Sequence, residues 1–89
     1  MTVRRRVLVA GRVQGVWFRE SCGREARTRG VAGWVCNRSD GRVEALFEGP
    51  EVAVDQMLGW CRQGPPRARV DAVETILEEP LGEVGFRVR

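Results

Sequence analysis

Apolar residues recur along this chain with two different periods, one typical of β-strands and one typical of α-helices. The short apolar run VLVA predicts a mostly buried first strand over residues 5–13. Downstream, apolar residues recur every four positions from Phe18 to Ala26, which predicts an amphipathic helix over residues 18–29. Gly30 is expected to end that helix as a C-cap, because glycine adopts the left-handed conformation without steric cost.

Two further strands joined by a hairpin are predicted next. Residues 33–37 and 42–48 have strand character, and the intervening stretch RSDG is a strong turn signal. In the second of these strands, apolar residues alternate with glutamates, although Leu46 falls on the glutamate side. The glutamates expected to face solvent are Glu44, Glu48, Glu78 and Glu79.

The last third of the chain predicts a helix and two more strands. The helix is expected to begin around residues 49–51 and to end at residues 64–66, because proline suits a first turn and Gly-Pro-Pro stops a helix. Its predicted buried stripe is Val54, Met57, Leu58 and Cys61. Residues 70–78 predict a fourth strand, and a short final strand is predicted from the alternation of Val84, Phe86 and Val88.

This order, βαββαβ with an additional C-terminal strand, predicts an α+β ferredoxin-like sandwich. Two helices are expected to cover one face of a mainly antiparallel sheet and to leave the other face to solvent. The chain has 89 residues with no linker or repeat, so we expect a single domain over residues 1–89.

Composition restricts the chemistry that this chain can perform. It contains no histidine, and so lacks the commonest general base and the commonest metal ligand. Ser-His-Asp and Cys-His mechanisms are therefore impossible within it. Its three cysteines are odd in number and form no C-x-x-C pair, which predicts reduced thiols rather than disulfides or a zinc site.

All fifteen basic residues are arginine, and the net charge is +3. Clusters near both ends of the chain could form a basic patch for nucleic acid, but interleaved acidic residues favour a mixed, solvated surface. Trp34 and Trp60 are expected to pack rather than to stack on bases. No apolar run approaches the roughly 20 residues of a membrane helix or a signal-peptide core. We therefore expect a cytoplasmic monomer without nucleic-acid or membrane partners.

Two polar segments are predicted to meet at one edge of the sheet. Residues 11–19 join the first strand to the first helix, and Asn37 ends the second strand. Because the two strands of a β-α-β unit run parallel, both segments lie at the same edge. The helix N-terminus offers unpaired N–H groups, Gly15 permits a tight bend, and Arg19 adds a planar cation that suits phosphate. The alternative is an ordinary turn with a solvated arginine and a turn-forming asparagine.

The stretches GRVQGVWFRE and GWVCNRSDGRVE resemble the acylphosphatase family, and the similarity continues through WCRQGPPRARVDAVE and the terminal GFRVR. The resemblance implies hydrolysis of acyl phosphates to a carboxylate and inorganic phosphate, with no metal or cofactor. It also implies that Arg19 is catalytic and helps to hold the phosphoryl group, and that Asn37 is catalytic and orients the attacking water. The phosphate-binding loop that it implies consists of Gln14, Gly15, Val16, Trp17, Phe18 and Arg19.

The match has one notable departure, since Cys36 occupies a position that is commonly arginine in the family. The implied chemistry otherwise suits the residues, because a carboxylate leaves without needing a proton and positioning dominates phosphoryl transfer. Two alternatives stay open. The same sandwich serves RNA-binding modules, although no RNP-like consensus is present. A similar domain opens certain hydrogenase-maturation carbamoyltransferases, where carbamoyl phosphate would be the substrate. A chain running from Met1 to a fifth strand favours a stand-alone enzyme.

Overall fold

Five strands form one mixed sheet in a computed structural model that describes all residues, 1–89. The elements are β1 (Thr2–Arg12), α1 (Phe18–Thr28), β2 (Ala32–Asn37), β3 (Val43–Pro50), α2 (Glu51–Gln63), β4 (Arg69–Glu78) and β5 (Phe86–Val88). The strand order is β4-β1-β3-β2-β5, and only the β2–β5 pairing is parallel. The predicted α+β ferredoxin-like fold, with its additional C-terminal strand, is confirmed.

The hydrophobic core lies between the two helices and one face of the sheet. The strand residues that alternate onto this face are buried, among them Val7, Val9, Val35, Val43, Ala45 and Phe47. The predicted helix stripes are buried against them, and the rings of Phe18 and Trp60 meet 5.2 Å apart where α1 and α2 adjoin. Both helices therefore cover the same face, as the patterns of apolar residues predicted.

The end of α1 takes the predicted form. Gly30 has φ 69°, and its N–H donates to the Arg27 carbonyl at 3.2 Å. The Val31 N–H donates to the Ala26 carbonyl at 2.9 Å, which completes a Schellman motif. This tight ending returns the chain at once to β2, so that Asn37 ends its strand near the start of α1.

The other face of the sheet is not simply left to solvent. β5 begins only at Phe86, and the predicted strand residue Val84 is 84% exposed. Residues 79–85 instead cross the open face and cover Arg4 and Glu48, each only 5% exposed. The prediction that Glu48 faces solvent is therefore wrong, because sequence alternation cannot reveal that a distant segment covers the polar face.

Glu48 and Arg4 form the centre of a buried ionic cluster. The Arg4 guanidinium contacts Glu48, Glu78 and Glu83 at 3.0, 2.9 and 3.1 Å. Burial by itself lowers the pKa of Arg4, but the bonds to these three carboxylates outweigh it and raise that pKa above its usual value. The Glu48 carboxylate also accepts the N–H groups of residues 81–83. This cluster ties the crossing segment to the sheet.

Leu46, the residue that breaks the alternation of β3, is fully buried on this second face. Its cross-strand neighbours are Arg6 and Trp34, and the Arg6 guanidinium lies 5.6 Å from the centre of the Trp34 ring. Arg6 also pairs with Glu44 and Glu78. Of the three consecutive arginines near the N-terminus, Arg4 and Arg6 are thus paired with carboxylates.

The three cysteines are free thiols, two of them buried and one half-buried. No helix combines the length and the apolar character needed to cross a membrane.

Candidate active site

The chain between β1 and α1 turns through two left-handed residues. Gly15 has φ 73°, and no atom lies within 4 Å of the position that a Cβ would take, so its conformation rather than crowding favours glycine there. Trp17 has φ 68° and is the only non-glycine residue with positive φ. Such a conformation costs about 1–3 kcal/mol and is concentrated at functional sites. The Trp17 indole is 68% exposed, so core packing does not account for this strain.

This loop leaves several main-chain donors without a backbone acceptor. The N–H groups of residues 14–17 donate to no backbone carbonyl, and the first-turn N–H groups of α1 have no intrahelical acceptor. The side chains of Val16 and Phe18 are buried and hold the loop against the core. The loop therefore carries unpaired N–H groups at the positive end of the α1 dipole, an arrangement that suits an anion.

Arg19 extends from the first turn of α1 and pairs with no side-chain carboxylate. Its Nη1 donates to the main-chain oxygen of Arg89, the last residue of the sequence, at 2.8 Å. Arg89 is itself fixed, because its N–H donates to the Val35 carbonyl at 2.8 Å. Its guanidinium also lies 4.8 Å from the centre of the Trp34 ring, a cation–π distance. Arg19 is therefore held in a defined place by a main-chain oxygen rather than by a side-chain carboxylate.

Asn37 stands opposite, as the last residue of β2. Its backbone is paired with Val43 of β3, whereas its exposed carboxamide bonds to no protein group. The hairpin that follows is rigid, since the Asp40 carboxylate accepts the Arg42 N–H at 3.1 Å and contacts the guanidinium groups of Arg38 and Arg42. The Arg42 side chain and N–H, together with Arg38, outweigh desolvation and hold the pKa of Asp40 well below its usual range.

The loop, Arg19 and Asn37 line a single cavity of about 420 Å³. Its walls are Val13, Gly15, Trp17, Phe18, Arg19, Glu20, Asn37 and Arg67. The topology thus brings the loop, Arg19 and Asn37 together as predicted from the parallel course of β1 and β2. Of the predicted loop residues, Val16 and Gln14 do not line the cavity.

Sequence reasoning missed two arginines near this site. Arg67, from the α2–β4 connection, lines the cavity, and Arg89 holds Arg19 through its main-chain oxygen. No local signal marks either one, because both reach the site only through the tertiary fold. A larger cavity of about 610 Å³ lies beside α1 and residues 63–66, but it contains none of the predicted site residues.

The structure thus defines a small α+β protein in which a loop of unpaired main-chain N–H groups, Arg19 and Asn37 meet at one cavity. A model of the acylphosphatase family matches residues 5–88 of the chain. An acylphosphatase of Rubrobacter xylanophilus is 57% identical, with 99% of this chain and 81% of the relative covered. The chain belongs to the acylphosphatase family, as its motifs predicted, and its activity is the hydrolysis of acyl phosphates.

Solved structures agree with this assignment. The crystal structure of acylphosphatase from Bacillus subtilis superimposes with a TM-score of 0.94 at 41% identity, covering 100% of this chain and 99% of that one. The chain is also similar to part of Thermococcus kodakarensis HypF, with a TM-score of 0.83 and 30% identity. It covers 12% of HypF, against nearly the whole of the Bacillus protein.

Proposed function

We propose that this acylphosphatase holds the phosphoryl group of its substrate with Arg19 and the main-chain N–H groups of residues 14–19, and that Asn37 orients the attacking water. We propose further that the reaction needs no metal or cofactor, and that the 89 residues act as a single-domain monomer. The cytoplasmic location and the absence of nucleic-acid or membrane partners stay predictions from the sequence.

One observation carries the catalytic assignment. Arg19 and Asn37 come from different elements into one cavity. The Asn37 carboxamide bonds to no protein group, and Arg19 pairs with no side-chain carboxylate and keeps donors beyond the one that binds Arg89. Elsewhere on the surface, arginines such as Arg38 and Arg42 are paired with carboxylates. A cation and a carboxamide without such partners are suited to an anionic substrate and a water molecule respectively.

The reaction then proceeds as an in-line displacement at phosphorus. The water oxygen forms the new P–O bond, and the bond between phosphorus and the acyl oxygen breaks with its electron pair passing to the carboxylate. Arg19 and the loop N–H groups stabilise the charge on the phosphoryl oxygens. A loose transition state requires little early removal of the water proton, and a phosphoryl oxygen of the substrate accepts it. This accounts for catalysis by a chain without histidine.

Hydrolysis of benzoyl phosphate in the presence of EDTA tests the assignment. We expect the wild-type enzyme to remain active, and the Asn37→Ala variant to lose turnover by about 100-fold or more while its affinity for inorganic phosphate changes little. Arg69→Ala provides a control, since Arg69 lies outside the cavity. Normal turnover by Asn37→Ala would refute the role of Asn37, and loss of wild-type activity in EDTA would refute metal independence.

A second candidate substrate, carbamoyl phosphate, comes from the resemblance of the sequence to a domain of hydrogenase-maturation carbamoyltransferases. A comparison of kcat/KM on carbamoyl phosphate and on benzoyl phosphate distinguishes the two substrates. We expect the aryl acyl phosphate to be the better substrate, because an aryl carboxylate is a stable leaving group. A preference for carbamoyl phosphate would support the second candidate.

A further inference from the structure

Gln14 immediately precedes the turn that forms the anion-binding loop, but its side chain does not line the cavity. Its Nε2 donates to the Arg38 carbonyl at 2.7 Å and to the Arg42 carbonyl at 3.0 Å. A carboxamide nitrogen has two N–H groups, and both are used here. The amide nitrogen therefore has no donor left for a phosphoryl oxygen, and only the main-chain N–H of Gln14 remains available to the substrate.

The two carbonyls that Gln14 binds close the hairpin turn directly after Asn37. The Arg38 carbonyl also accepts the Gly41 N–H at 3.2 Å, and the Arg42 carbonyl accepts the Arg38 N–H at 2.8 Å. The side chain of Gln14 thus links the start of the loop to Arg38, the residue that follows Asn37, and to Arg42. No other side-chain hydrogen bond links residues 13–17 to residues 38–42.

We propose that Gln14 is a positioning residue that sets the place of Asn37 relative to the loop and Arg19, and that its side chain is not a ligand of the substrate. This inference rests on the proposed role of Asn37 in orienting water. The Asn37 carboxamide has no protein partner, so its location depends on the backbone of the hairpin to which it belongs. A displacement of about 1 Å at such a group can cost up to about 100-fold in rate.

Replacement of Gln14 by methionine tests the proposal, because Gln14→Met keeps the length of the side chain and removes both donors. We expect kcat to fall by about 10- to 100-fold, with the dissociation constant for inorganic phosphate changed by about twofold or less. Gln63→Met is the matched control, since Gln63 is an exposed glutamine at the end of α2 without a side-chain hydrogen bond.

A double-mutant cycle separates positioning from a general loss of structure. In an Asn37→Ala background, Gln14→Met should change kcat by only about twofold, because the group that it positions is already gone. An equal loss in both backgrounds, no loss in either, or weakened phosphate binding with unchanged kcat would each overturn the proposal. If Asn37→Ala alone left kcat unchanged, the proposed role of Asn37 would fail instead, so the two failures are distinguishable.

A measurement on the wild-type protein covers the case in which Gln14→Met does not fold. On titration with inorganic phosphate, the NMR signals of the N–H groups of residues 15–19 should shift, whereas the side-chain NH₂ signals of Gln14 should move little. The side-chain NH₂ signals of Gln63 supply the reference for a glutamine that does not contact phosphate. A shift of the Gln14 NH₂ signals as large as those of the loop would show a phosphate ligand and overturn the proposal.

Discussion

Arg4 and Arg19 carry the same guanidinium group, but the fold gives them opposite surroundings. Arg4 lies on the covered face of the sheet, 5% exposed, with three glutamates within 3.1 Å. Arg19 lines a cavity, bonded to the main-chain oxygen of Arg89 and to no side-chain carboxylate. A single oxygen fixes the direction of a guanidinium and leaves its other donors for a ligand, whereas three glutamates overcompensate the charge of Arg4.

The difference teaches how to distinguish a structural arginine from one that can bind an anion. A buried arginine stabilises only if its partners remain, because an unpaired charge in the interior is costly. A partly exposed arginine without a side-chain carboxylate partner keeps donors for a ligand, and in the first turn of a helix its charge also opposes the dipole until an anion arrives. The comparison predicts that substitution of Arg4 lowers the free energy of unfolding, whereas substitution of Arg19 lowers kcat/KM.

The largest expected effect is on catalysis by Arg19 variants. Arg19→Ala should lower kcat/KM for benzoyl phosphate by about 1,000-fold or more, the scale of other arginines that stabilise phosphoryl transfer. Arg19→Lys should recover little, because an ammonium group cannot reproduce the planar fork. Steady-state kinetics together with a thermal melt provide the check. Both Arg19 variants are expected to melt at a temperature close to that of the wild type. Near-normal kcat/KM in Arg19→Lys would contradict the requirement for a guanidinium group at this position.

The next effect concerns stability and belongs to Arg4. Arg4→Met should lower the free energy of unfolding by about 3–5 kcal/mol, because Glu48 is left buried without its cation. Arg69→Met is the matched control, since the Arg69–Asp71 pair is solvent-exposed. Exposed pairs of this kind contribute about 0–1 kcal/mol. Urea unfolding of both variants measures the contrast, and equal losses would show that burial does not separate these two ion pairs.

A smaller effect is expected on stability at low pH. Burial raises the pKa of the Glu48 carboxyl, but the Leu81 N–H, the Arg4 guanidinium and the neighbouring N–H groups outweigh it and lower that pKa to about 2. Since the folded pKa lies below the ordinary value of about 4.5, the contribution of Glu48 is fully present above that pH. It is lost as the pH falls from there toward 2.

Urea unfolding from pH 6 to pH 2.5 checks this pH dependence. The free energy of unfolding should fall over this range in the wild type and fall less steeply in Glu48→Gln. Glu78 has a lowered pKa too, through its bonds to Arg6 and Arg4, so some slope should persist in the variant. Identical slopes in the two proteins would show that Glu48 does not carry the effect.

The smallest effect is expected from Arg89. Its deletion removes the main-chain oxygen that restrains Arg19, and kcat/KM should fall by about tenfold because the guanidinium becomes less well oriented. Arg89→Ala is the control, since it keeps that oxygen and removes only the cation–π contact with Trp34. The substitution should cost much less activity than the deletion. A deletion without effect would mean that the loop alone orients Arg19.

Much of this protein could be predicted from local patterns in the sequence. The helix stripes, the Gly30 cap and the turn after Asn37 all follow from residues close together in the chain, and each of them is found in the structure. The meeting of the loop with Asn37 also followed, because the two strands of a β-α-β unit run parallel and therefore end at the same edge of the sheet. The Arg19 and Asn37 roles themselves stay predictions until the variants are measured.

Features that depend on distant segments could not be predicted in this way. The alternation of Val84 with Phe86 suggested a longer last strand, but the chain crosses the sheet there and leaves Val84 exposed. The alternation of β3 placed Glu48 on the polar face of the sheet, where solvent exposure was expected. The segment of residues 79–85 covers that face instead, and it supplies three N–H donors to the Glu48 carboxylate. The two hydrogen bonds of Gln14 to the hairpin span 24 and 28 residues of sequence and leave no local trace.

The sequence by itself determined the order of elements, the apolar faces that pack together, the left-handed glycine turns and the family, because each depends on residue type and short spacing. Only the tertiary structure decided which of fifteen equally charged arginines is neutralised and which is left free. That distinction depends on where carboxylates and carbonyls from remote segments arrive, and electrostatic pairing acts through space rather than along the chain. The fold surrounds Arg4 with glutamates and leaves Arg19 lining the cavity with no side-chain carboxylate beside it.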